Sequence, residues 1–98
     1  MQISVTGMVW YSNAEDYDRL KAMFTDSNKL AGTFESWIKS AQTGFDKLTS
    51  AGHVVIKAHI DPDTFPEWCR VHGLEMNADA RMAFGNECAA EHYRLKMK

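Results

Sequence analysis

A chain of 98 residues, 45% hydrophobic and 24% charged, has the balance of one ordinary globular domain spanning 1–98 and is not a disordered tail. Its formal net charge of −2 supplies no bulk attraction to nucleic acid, and it holds no apolar run near the ~20 residues that span a bilayer. The start MQISVTGMVWY lacks the basic opening and continuous apolar core of a signal peptide, so the two cysteines are expected as free thiols in a reducing cytoplasm.

The first predicted element is a strand from Gln2 to Tyr11. Ile3, Val5, Val9 and Tyr11 alternate onto one face, with Thr6, Met8 and Trp10 on the other. Gly7 interrupts the apolar row and marks a bulge or a close helix approach. Ser12 and Glu15 have capping-box spacing, opening a helix that runs to about Phe24 with Tyr17, Leu20 and Phe24 inward. Thr25 to Gly32 is polar and turn-rich, a loop. Thr33 then caps a helix in which Phe34, Trp37, Ile38, Ala41, Phe45 and Leu48 keep the 3.6-residue period, and Gly52 ends it. Gly44 inside that helix costs ~1 kcal/mol against alanine, and close packing against a neighbour would be a reason to keep it.

His53 to Ile60 is the second predicted strand, with Val54, Ile56, Ala58 and Ile60 on one face and His53, Val55, Lys57 and His59 on the other. A helix pair follows. Asp61 and Pro62 open the first helix, Phe65, Trp68 and Val71 form its stripe, and Gly73 is its left-handed C-cap. Asn77 caps the second, on which Ala80, Phe84, Cys88 and Leu95 share a stripe flanked by Met82 and Tyr93. Leu74 and Met76 are expected to plug the corner, and Leu95 to Lys98 to fray.

The predicted class is therefore α+β, in the order β-α-α-β-α-α. Two helices between two strands return the chain to the end it left, so the strands are expected to pair as a two-stranded antiparallel sheet. Such a sheet has two open edges. Edge pairing in a symmetric homodimer would complete a larger sheet. One sheet face is expected to stay uncovered, offering Met8, Trp10, Val55, Lys57 and His59 to a protein partner. In the competing reading the C-terminal helix folds over this face and buries Trp10.

Two other chemistries compete. Cys69 and His72, three residues apart, and Cys88 and His92, four apart, have the spacing with which two facing helices can close a tetrahedral zinc site. A helix-turn-helix would use Asn77 and Arg81 to read bases, although Asp79, Glu87 and Glu91 make its second helix too acidic to hold phosphates well. Cys69 or Cys88 beside His72 or His92 would be the elements of a cysteine nucleophile, but no oxyanion turn accompanies them, so no enzyme is expected. The carboxylates of Glu15, Asp16, Asp61 and Asp63 are explained as helix-start charges. No glycine-rich phosphate loop or dinucleotide fingerprint is present, so no cofactor is expected.

The runs EDYDRLKAMF, FESWIKSAQTGFDKL and DPDTFPEWCRVHGLEMNADARMAF resemble small uncharacterised proteins of proteobacteria, phages and other mobile elements. The resemblance covers most of the chain and carries no catalytic residues. It implies a cytoplasmic accessory protein that binds and modulates another macromolecule, comparable in size and setting to phage-borne inhibitors such as anti-CRISPR proteins. The expected function is a protein-interaction module acting as a homodimer on a protein partner, away from membranes and nucleic acid.

Overall fold

Two six-residue strands, β1 (Val5–Trp10) and β2 (Val54–His59), pair in the computed structural model, which describes residues 5–96. The expected strand start at Gln2 to Ser4, and Met97 and Lys98 at the fraying end, lie outside these residues. The helices are α1 (Ala14–Met23), α2 (Phe34–Ser50), α3 (Phe65–Val71) and α4 (Ala78–Lys96), with a 3-10 turn at Ser27–Lys29.

The strands run parallel, with Val5 beside Val54 and Trp10 beside His59, which corrects the antiparallel expectation. The reason lies in α1. It does not run back along the sheet but stays beyond the strand end, where Tyr17 packs at 5.0 Å, edge to face, on Tyr11 just after β1. Only α2, at 17 residues, makes the return journey, so β1 and β2 are joined by one effective crossover, and one crossover gives parallel strands.

Each sheet face has its own helix. Trp10 meets Trp37 at 5.2 Å and Phe45 at 6.0 Å, so α2 covers the face of Thr6, Met8 and Trp10. The face expected to be uncovered is thus occupied, and by α2 rather than by the C-terminal helix. On the other face α4 lies chiefly over β1 and less over β2. It comes so near that a Cβ on Gly7 would sit 1.8 Å from the carbonyl oxygen of Gly85. Gly7 therefore marks the close helix approach and no bulge.

The main core lies past the ends of the strands. Tyr11 and Ile60, which directly follow them, cluster with Tyr17, Leu20 and Phe24 of the α1 segment, Phe65 and Cys69 of α3, and Ala80 of α4. Leu74 and Met76 pack against this cluster as expected of the corner. Two local readings change. The N-cap of α1 is Asn13, whose Oδ1 accepts from the Asp16 N–H at 2.8 Å, and not Ser12. Helix α3 begins at Phe65 after a turn in which Asp61 Oδ1 accepts from Asp63 N–H at 2.8 Å, and its buried pair is Phe65 and Cys69, leaving Val71 exposed. Thr33, Asn77, Gly52 and Gly73 act as the sequence implies: the first two accept from Ser36 and Ala80 N–H, and the glycines take φ of +95° and +66°.

Candidate functional site

The sheet leaves backbone hydrogen-bonding groups open on both sides. Trp10 accepts from the Ile60 N–H at 3.1 Å, so Trp10, Met8 and Thr6 direct their backbone groups to β2, and strand alternation directs those of Val5, Gly7 and Val9 outward. By the same alternation Val55, Lys57 and His59 direct theirs outward from β2. Among the described residues no further strand pairs with either edge.

The two edges differ in chemistry. β2 carries Lys57 and His59, both exposed, and Lys57 Nζ rests 4.2 Å from the centre of the Trp10 ring and 4.8 Å from that of Phe45. A lysine along an edge discourages indiscriminate strand addition. β1, with the sequence VTGMVW, has no charged residue and no proline. Of the residues expected to form an exposed patch, Trp10 is 6% exposed and belongs to the packing under α2. Met8 and Val55 are half-buried on the same covered face. Lys57 and His59 remain accessible, and with Val55 they make up the outer edge of β2.

Next to β1 an open groove of about 480 Å³ is lined by Val5 and by Asn86, Ala89, Ala90, Tyr93 and Arg94 of α4. It contains no residue of β2 and so opens on the β1 side of the sheet. Met82, Asn86, Ala90 and Tyr93 follow one another at spacings of three and four, placing them on one helix flank. Met82 and Tyr93 are among the most exposed large apolar residues described, at 66% and 52%.

The zinc arrangement does not assemble. Among the described residues no three His, Cys, Asp or Glu side chains gather as a metal site. Cys69 is buried in the core, whereas His72 lies on the surface, stacked on the Trp68 ring at 4.0 Å. His72 Nδ1 lies 2.8 Å from the Trp68 carbonyl oxygen, so it is the donor there, and Nε2 faces Glu87 Oε2 at 3.4 Å. Trp68 Nε1–H donates to that same oxygen at 3.0 Å. These contacts tie α3 to α4. Burial raises the Cys69 thiol, and burial together with Glu87 and Glu91 raises that of Cys88, so neither is primed as a thiolate.

The helix-turn-helix residues are likewise engaged. Asn77 Oδ1 caps α4, and Arg81 is held by Asp26 through two hydrogen bonds of 2.9 Å with its guanidinium over the Phe24 ring. Asp26 also accepts from Ala78 N–H at 3.0 Å. This ion pair locks the loop after α1 to the start of α4, and nothing in the sequence pattern paired residues 55 positions apart.

The described residues thus form an α+β fold with a two-stranded parallel sheet, clad on both faces and, among these residues, open at both edges. No described helix is long and apolar enough to cross a membrane. No family model, curated protein or solved structure matches the chain.

Proposed function

We propose that the chain is a non-catalytic protein-interaction module, working as a homodimer, that binds and modulates a protein partner in the way expected of an accessory protein of a phage or other mobile element. One observation supports this reading above the others: both sheet faces are occupied by helices, while two strands of six residues keep an outer edge whose N–H and C=O groups pair with no further strand among the described residues. An extended segment of another protein can add to such an edge through main-chain hydrogen bonds, with alternate side chains giving selectivity. The edge of β2 suits a different protein as partner, because Lys57 and His59 beside Val55 set a chemical condition on the strand that docks there.

The alternation of β2 supplies a clean test. The N–H of Val55 points away from β1, so Val55→Pro removes an edge donor without removing a rung of the β1–β2 ladder. Tagged wild-type protein is expected to retain a stoichiometric partner from a bacterial lysate, and Val55→Pro, with unchanged circular dichroism, to lose it. Equal retention by both, or no partner for either, would sink the β2-edge reading.

A further inference from the structure

Resting on the β2-edge reading, and naming the chemistry of its partner, we infer that the outer edge of β2 takes an extended segment of another protein in which carboxylate and apolar side chains alternate. The two faces of the sheet set different conditions at this edge. On the α2 face stand Val55, Lys57 and His59, and the Lys57 ammonium is steadied by the rings of Trp10, at 4.2 Å, and Phe45, at 4.8 Å. Among the described residues no carboxylate pairs with Lys57 or His59: the ion pairs join Arg19 to Asp63, Arg70 to Glu67, His72 to Glu87 and Arg81 to Asp26. Asp46 of α2, one residue beyond Phe45, accepts instead from Gln42 Nε2 at 3.0 Å. An exposed cation held on aromatic faces without a counter-ion fits a carboxylate placed directly across the edge, where opposite charges attract and like charges repel. The His59 imidazole, also exposed, offers a ring N–H to a second carboxylate two residues away.

The opposite face asks for apolar residues. Val54 is 38% exposed and Ile56 half-buried, because α4 lies chiefly over β1 and less over β2. Apolar side chains set against them remove that surface from water. Since side chains alternate along a strand, one segment meets both conditions: acids opposite Lys57 and His59, apolar residues opposite Val54 and Ile56. The outward N–H and C=O groups of Val55, Lys57 and His59 supply the rungs. A bare strand brings no helix layer of its own, so neither α2 nor α4 meets a second helix beside it.

The probe is a phage-displayed library of random peptides ~12 residues long, enough for one strand with flanks, selected on the wild-type protein. Enriched sequences are expected to carry Asp or Glu two positions apart among apolar residues. Lys57→Gln is expected to weaken synthetic copies of these peptides about tenfold. Lys39→Gln, the same charge change on the exposed side of α2, leaves their affinity unchanged, and circular dichroism checks the fold of both variants. Hydrogen exchange needs no variant: bound peptide is expected to slow the amides of Val55, Lys57 and His59 and to leave those of Gly7 and Val9 as they were. Peptides that protect the β2 amides but lack the acids, or bind Lys57→Gln as tightly as wild type, would overturn this inference while the β2-edge reading stands. Protection away from β2, or a selection that yields no binding peptide, would overturn both.

Discussion

Arg81 shows how a side chain's surroundings decide its role. Its position near the start of a helix invites a reading as a base-contacting residue, but only 13% of its side chain is exposed, against 12% for Asp26, and the two form a forked pair. The hydrogen bonds from Arg81, ahead of that from the Ala78 N–H, hold the Asp26 carboxyl below the usual carboxylate range. A lowered folded-state pKa contributes stability that is complete above the unfolded value, near 3.9, and is lost as pH falls through the folded one. Asp26→Asn is therefore expected to lose about 2 kcal/mol at neutral pH and to flatten the stability profile below about pH 4. Urea titrations of both proteins at several pH values would check this, and identical slopes below pH 4 would refute it. Tyr11 is a contrasting case: its hydroxyl is buried without a hydrogen-bond partner among the described residues, and burial pushes it up to about 12. Neither environment has a signature in the neighbouring residues, because each is built from segments far apart in the chain.

Among the elements, the crossing of α4 over β1 is the contact that admits least change. A methyl on Gly7 would meet Gly85 O at 1.8 Å, while one on Gly85 would meet Gly7 O at 2.9 Å. Gly44 in α2 has only Met8 Cε, at 3.6 Å from an added Cβ, which is ordinary contact. Close packing thus gives no reason for a glycine at 44. Three alanine substitutions should follow this order. Gly7→Ala is expected to destabilise by about 3 kcal/mol or more, Gly85→Ala by about 1–2 kcal/mol, and Gly44→Ala to stabilise by up to about 1 kcal/mol through helix propensity. Thermal or urea midpoints would measure the series, and a harmless Gly7→Ala would mean that α4 does not cross there. The break in the apolar row pointed to Gly7 in advance. Its partner Gly85 and the generous space at Gly44 depend on which helix docks where.

At the scale of the whole molecule the shape is elongated, with extents of 41 × 31 × 18 Å. The radius of gyration is 13.9 Å, against about 12.6 Å for a compact domain of this length. Most of the fully buried side chains gather beyond the strand ends, and the sheet is held between two helices with its strands half-buried. If the chain works as the proposed homodimer, its stability depends on concentration: the Tm of wild type is expected to rise by about 3–5 °C for a tenfold increase in protein. Calorimetry at two concentrations decides it, and a wild-type Tm that does not move would count against the dimer.

The amino-acid sequence by itself determined the α+β class, the number and approximate spans of the strands and helices, and the caps at Thr33, Asn77, Gly52 and Gly73. These are local matters: periodicity, capping side chains and positive φ are set within a turn or two of chain. Only the tertiary structure decided that the strands are parallel, that α2 buries Trp10, that Cys69 and His72 part company, and that Val55, Lys57 and His59 persist as a strand edge. Each of these depends on the direction a helix takes after leaving the sheet. That direction is chosen by long-range burial, here by Tyr17, Leu20 and Phe65 closing around Tyr11 and Ile60, and the spacing of residues along the chain does not encode it.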